Sequence, residues 1–561
     1  MRSLPGFLAV LVWVAASGPA AMAADLLLSG GRIYTADERQ PTAEAVLVRD
    51  GKIVYVGTAR GAEARAGAAA QRLDLTGRTV VPGLTDAHVH LAGIGDRELA
   101  FNLEGTASLA ELQTKLRARA AVTPKGQWIV GRGWIETKWS PATFPRAADL
   151  DAVAPDHPVF LKRSDGHALV ANTRALQLAG ITRATPNPRG GEILREGATE
   201  EPSGMLIDHA QTLVERLVPP EGPAEVERRL LAGAQRELSL GWTQVHIAGN
   251  GLDEMRLLRR LVAEGKIKLR IYNAVGGPGA AAEALLQGGP QQGGDGSRFT
   301  ARAIKLYADG ALGSRGAALL EPYADSPGSR GLMLSQAETL LPLMIQALRR
   351  GVQIETHAIG DRGNRFVLDL YAQAFAAVPR DQRRVPEPRW RIEHAQVIAP
   401  ADLGRFAQLG VIASMQPSHA IGDFYFAPSR LGAARLKGAY AWRSLLDSGA
   451  VVIGGSDAPV ERGEPMIEFY AAVVRRSLDG FSDENWHREE RVSRAQALTM
   501  FTLAPAYAAF QEQERGSIAV GKRGDFTVLS ADIMTIPETE ILQTRCLMTI
   551  IEGEVVYARA R

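Results

Sequence analysis

Residues 80–90 read VVPGLTDAHVH, a run of strand-type residues that ends in two histidines one position apart. Side chains alternate along a strand, so His88 and His90 point to the same face. Two imidazoles on one face can chelate a borderline-soft divalent ion. Alone, the pair is equally compatible with a structural role. Seven further short apolar stretches change that reading: GWTQVHIAG (241–249), KLRIYNAVG (268–276), ARAIKLYADG (301–310), GVQIETHAIG (351–360), RWRIEHAQV (389–397), GVIASMQPS (410–418) and AVVIGGSDAP (450–459). Helical patterns such as 225–240, 336–350 and 431–446 lie between them. Strand–helix alternation builds βαβ units and a parallel sheet. Eight units predict an α/β fold closed into a (β/α)8 TIM-type barrel rather than an open sheet.

One interval breaks the rhythm. His90 and His246 stand 156 positions apart, where a strand-to-strand step needs a few tens. The stretch from about 101 to 220 is therefore read as a large insertion after the first barrel strand. Loops that follow barrel strands emerge at the active face, so this insertion is expected to cover the mouth. Its Trp128, Trp134 and Trp139 would form its core or an aromatic wall over the site. Residues 276–296, rich in Gly, Ala and Gln, read as a loose surface loop. Both chain ends are β-rich with tight turns, among them Asp50-Gly51 and Glu552-Gly553. They predict one small β-sandwich domain built from both termini. The expected boundaries are a signal peptide at 1–23, the first β part at 24–80, the barrel at 81–505 and the second β part at 506–561.

Composition sets outer limits. Of 561 residues, 46% are hydrophobic and 22% charged, which is globular and not disordered. The net charge of +2 removes the electrostatic case for a nucleic-acid partner. Cys546 is the single cysteine, which excludes an intramolecular disulfide and a multi-cysteine zinc cluster. The first residues carry Arg2, an apolar run from Phe7 to Ala16, a Gly18-Pro19 break and the small-x-small Ala21-Met22-Ala23. That is a secretory signal pattern, predicting a secreted or periplasmic protein with no membrane span after its removal. The alternative, a retained anchor, needs a run of roughly 20 apolar residues.

Six ligand-type residues fall late in five predicted barrel strands: the His88/His90 pair, Lys305, His357, His394 and Asp457. Their neighbourhoods are distinctive: ADGALGSRGAALLEPYAD (308–325), HAIGDRGN (357–364), IEHAQVI (392–398), SMQPSHAIGD (414–423), GAYAWRSLLDSGA (438–450) and GSDAPVE (455–461). From about Ala24 to the end, the chain resembles the metal-dependent amidohydrolase superfamily, and within it amidohydrolase family 3, the branch that includes N-substituted formamide deformylase. The resemblance implies a site. His88 and His90 would hold a first divalent ion, His357 and His394 a second, with zinc the expected metal; a mononuclear enzyme using only some of these ligands is the alternative. Lys305, lying between Ile304 and Leu306 in an apolar strand, would bridge the ions as a carbamate formed with CO2. Asp457 would touch the first ion and serve as general base, then general acid, while a metal-bound hydroxide attacks the carbonyl carbon.

The implied activity is hydrolysis of a non-peptide C–N bond in a small amide-type substrate. An ester or lactone substrate, or a non-catalytic binding protein on the same barrel, are the competing readings. None of these ligands is missing, which favours an enzyme. Candidate substrate contacts are His167 in the insertion, His246, Asp309, Arg315, His419 and Asp423. His157, His209 and His487 read as structural or exposed. Ser493 to Gln496 reads as a capping box that starts the last helix. The oligomeric state is left open, a homo-oligomer included.

Overall fold

Eight parallel strands form the centre: Leu84–Val89, Trp242–Asn250, Arg270–Gly276, Phe299–Tyr307, Gln353–Ala358, Arg391–His394, Ile412–Met415 and Val452–Gly454, each paired with the next. The computed structural model describes residues 25–560 apart from 137–138, 164–167, 189–190, 220–221, 293–296 and 482–485. The leader assigned to 1–23 and His167 lie outside the described residues. Backbone bonds close the seam between the eighth and first strands. Asp457 N–H donates to His88 O at 2.8 Å, and His90 N–H to Ala458 O at 2.9 Å. Gly455 permits that approach, since a Cβ there would stand 2.6 Å from the His88 nitrogen. Strands covered on both faces must be apolar almost throughout. Val245, Ile247, Ile271, Ile304, Leu306, Ile354 and Ile392 are accordingly all nearly or fully buried in one core.

Helices pack around this sheet. Pro223–Leu240 and Ala337–Arg350 match their sequence patterns closely, and Ser493 does cap the helix Arg494–Met500 with Gln496. Two expectations fail. Residues 276–296 contain the helix Ala280–Gly288, which buries Ala282, Leu285 and Leu286. Their helical spacing outweighs the flanking glycines. The pattern at 431–446 is not one helix but Ala433–Leu436 and Trp442–Asp447. Between them Gly438 sits so close to Ile398 O that a Cβ would clash, and Tyr440 takes a left-handed φ of 52°.

The insertion after the first strand is present. It carries its own six-stranded sheet, with Ile129–Trp134 and Val159–Arg163 near its centre. Trp134 and Trp139 sit in its core, whereas Trp128 packs half-buried against a second cluster. The small domain draws strands from both termini: Phe526–Leu529 pairs antiparallel with Thr79–Pro82. It is one hydrogen-bonded sheet of eight strands rather than two separate sheets. Ile53 and Ile550, on strands far apart in that sheet, nevertheless share one core with Phe526 and Val528. The sheet therefore wraps round its interior, giving a sandwich-like core from a continuous ladder. No helix among the described residues is long and apolar enough to cross a membrane.

Candidate metal centre

The strand ends converge. Ligand atoms of His88, His394 and Asp457 all lie within 4.8 Å of one another, and all three residues are buried. His90 Nε2 is 3.2 Å from Asp457 Oδ1, and His88 Nε2 is 3.5 Å from the same oxygen. His357 joins from the next strand, its ring 4.6 Å from that of His394. Lys305 Nζ reaches into the same space, 3.2 Å from His88 Nε2. The side chain of His90 is 36% exposed and that of His357 13%, so these two face the mouth while His88 and His394 form the floor.

Local backbone geometry delivers two of these groups. His394 has φ 73° and Asp457 φ 59°, a left-handed conformation costly for residues with a Cβ and typical of functional strand ends. Because of that turn Glu393 and His394, adjacent in sequence, both reach inward. The Glu393 carboxylate contacts His88 Nδ1, and Gln416 Oε1 lies 2.8 Å from His394 Nδ1. Each contact occupies one ring nitrogen and leaves Nε2 to face the cluster, the arrangement by which protein groups orient metal-binding imidazoles. Asp86 Oδ1 accepts from the His88 and Ser456 amides at 3.2 and 2.8 Å, tying the first and eighth strand ends together.

The electrostatics favour ligand-competent forms. Burial holds the His88 and His394 imidazoles far below their ordinary pKa, and burial with the nearby Lys305 charge takes His357 down to about 4. Neutral imidazole is the metal-binding form. Burial also lowers the Lys305 ammonium from its usual range, with Glu393, Asp457 and Glu355 opposing that shift. Burial works to raise the Asp457 carboxyl, but contact with His90, His88 and His419 outweighs it and keeps the group ionised. Neutral imidazoles and a carboxylate thus suit one or more divalent cations.

The other candidates divide. His419 joins the cluster. It is buried, stacks on His394 with centroids 5.8 Å apart, and its Nε2 lies 3.6 Å from Asp457 Oδ2 without a hydrogen-bond partner. His246 lies deeper. Its strand register pairs it with Tyr272, and Tyr272 with Thr300, five residues before Lys305. There Arg391 Nη1 stands 3.0 Å from His246 Nδ1. Asp309 accepts three backbone amides, from Ala318, Ile359 and Gly360 at 2.8–2.9 Å, and so braces the loop after the lysine strand. Arg315 pairs with Asp325 at 3.0 Å on the surface. Asp423 Oδ2 accepts from Gln396 and Tyr440, each at 2.6 Å. The structure therefore does not bring Arg315 to the cluster, and it occupies Asp309 and Asp423 with scaffold bonds.

Sequence reasoning passed over Glu393, Gln416, Glu355 and Arg391. Arg391 pairs with Glu355 at 3.3 Å, both wholly buried. A signal existed: charged residues recur within the apolar strands IETH and RIEH, where a covered parallel strand should carry none.

A (β/α)8 barrel with histidines, a carboxylate and a buried lysine gathered at the strand ends defines a metal-dependent hydrolase. The amidohydrolase family model matches residues 71–557, and the chain belongs to the amidohydrolase family. Among its relatives, N-substituted formamide deformylase of Arthrobacter pascens is 29% identical, covering 95% of this chain and 98% of that protein. Protein LONG AFTER FAR-RED 3 of Arabidopsis thaliana is 34% identical, covering 96% and 92% respectively. An uncharacterized metal-dependent hydrolase from Pyrococcus furiosus superposes with a TM-score of 0.73 at 25% identity, covering 91% of this chain and all of that one.

Proposed function

We propose that this enzyme hydrolyses an amide-type, non-peptide C–N bond in a small molecule, with two divalent ions held by His88, His90, His357, His394, Asp457 and a carbamate on Lys305. The observation that carries the reading is the burial of Lys305 at the histidine cluster, its Nζ 3.2 Å from His88 Nε2. A buried lysine there would repel cations, but the anionic carbamate would bridge them. The charge balance supports this. Buried Glu355, Glu393 and Asp457 already outnumber the buried cations Arg391 and Lys305, and carboxylation of Lys305 deepens the negative charge that divalent ions would offset.

When bound, such ions polarise a carbonyl and lower the pKa of water. The chain's own groups supply the rest. Asp457 accepts a proton from the attacking water and returns it to the leaving nitrogen. His419, with Nε2 unpartnered beside Asp457, donates a hydrogen bond to the substrate oxygen on which charge develops. Glu393 and Gln416 hold His88 and His394 in the required tautomer and orientation.

Zinc fits the imidazole-rich donor set. The Arg2–Ala23 pattern supports export with cleavage after Ala23. The test is a screen of the metal-loaded enzyme against N-formyl and N-acyl amines beside matched esters and lactones. Chelation should abolish turnover, and amide cleavage should dominate. Preferential ester or lactone turnover would overturn the substrate class, and chelator-resistant activity would overturn the metal assignment.

A further inference from the structure

Away from the metal centre, a cavity of about 400 Å3 lies between the end of the helix Pro223–Leu240, the start of the helix Pro465–Val474 and the C-terminal strands. Its charged lining is Arg236, Arg462, Arg545 and Arg559 against one acid, Glu464. Glu464 Oε1 serves two of the arginines, at 3.4 Å from Arg236 and 3.0 Å from Arg462. Arg545 reaches only backbone carbonyls, those of Leu542 and Thr544. Among the described residues, neither Arg545 nor Arg559 has a carboxylate partner. Glu98, outside the lining, also pairs with Arg236 at 3.4 Å, so the cavity keeps a local excess of two positive charges, those of Arg545 and Arg559, in a chain whose total is +2.

We infer that this cavity is a binding site for a small phosphate-bearing anion. The volume falls in the range of small-molecule sites. Guanidinium groups present planar forks that match phosphate oxygens two at a time, and Leu240 and Leu542 provide an apolar wall beside them that strengthens the field in the cleft. The elements it joins matter. Arg462 stands five residues after Asp457, on a segment pinned where Trp242 Nε1 donates to Gly463 O at 2.8 Å. Arg545 and Arg559 flank the last two strands of the small domain. An anion held between them ties the segment following Asp457 to the C-terminal sheet.

The test is calorimetric titration of the full-length protein with inorganic phosphate and with pyrophosphate, at constant ionic strength against chloride. Both peripheral arginines are exposed, so R545Q/R559Q should keep the fold. Binding should weaken at least about tenfold in that variant, the scale of lost charge-assisted bonds. It should persist in H88A/H357A, which disables the metal centre. Pyrophosphate binding tighter than phosphate would indicate a polyphosphate ligand, and equal binding a single phosphoryl group. The inference is overturned if R545Q/R559Q binds as tightly as the parent, if binding is lost only in H88A/H357A, or if chloride competes as well as phosphate.

Discussion

The amine of Lys305 points at the Nε2 of His88 across 3.2 Å, in a space both side chains share without solvent. A site built for cations needs an anion at this position rather than an ammonium. The carbamate proposed on Lys305 would answer that need. Replacing Lys305 with Ala should release at least one metal ion per chain and abolish turnover, with partial recovery on adding a short carboxylic acid. Elemental analysis of the purified variant checks the first point. A full metal complement in Lys305→Ala would remove the lysine from the ligand set.

The contact from Glu393 to His88 predicts a distinct phenotype. Glu393→Gln keeps the size but cannot hold the imidazole as a carboxylate does. Metal affinity should fall about 10–100-fold, measured by competition with a chelating dye, and added metal should restore activity. Unchanged affinity would show that the neighbouring strands alone orient His88.

Asp457→Asn separates proton transfer from metal binding. Four histidines still surround the site, so most of the metal should stay. Turnover should fall roughly 10²–10⁴-fold, in kcat more than in KM. If a metal-replete variant turned over normally, another group would be moving the proton, and His419 would be the first to examine.

A buried pair joining the two domains contributes to stability at acid pH. Arg270, at the start of the third barrel strand, donates to Asp525 at 2.7 Å, and both are almost wholly buried. Burial alone would raise the Asp525 carboxyl, but Arg270 overcomes it and holds the value at about 2. A depressed carboxylate pKa contributes stability that is complete above the unfolded value of about 4 and is lost as pH falls toward 2. Asp525→Asn should destabilise the protein by about 3 kcal/mol or more at neutral pH. It should also flatten the stability curve between pH 4 and 2, as read from denaturant melts. An unchanged acid limb would assign it to other carboxylates.

Much of this architecture was legible in the chain. The eight strand patterns, the long interval after His90 and the paired β-rich ends each follow from local periodicity, and so they appear where expected. His88, His394 and Asp457 could be placed together because strand ends meet at one face of a barrel. What alternation along a strand could not show is the left-handed turn at His394, which lets Glu393 and His394 share one interior. Nor could it separate Asp309 from a substrate contact, because three backbone amides contributed by distant segments consume that carboxylate. The helix Ala280–Gly288 was obscured by its glycine borders, although Ala282, Leu285 and Leu286 keep helical spacing.

The ladder between Thr79–Pro82 and Phe526–Leu529 has a consequence for how the molecule is made. During synthesis the first five strands of the terminal sheet leave the ribosome early, but the strand that pairs with Thr79–Pro82 follows more than 400 residues later. At ordinary rates of elongation that is a wait of roughly 20–90 s. Throughout it the early strands present an unpaired edge, the kind of surface that recruits wrong partners. The nascent chain therefore depends on its final residues to seal its first ones, and a ribosome stalled before Phe526 would leave a barrel whose small domain is open along one side.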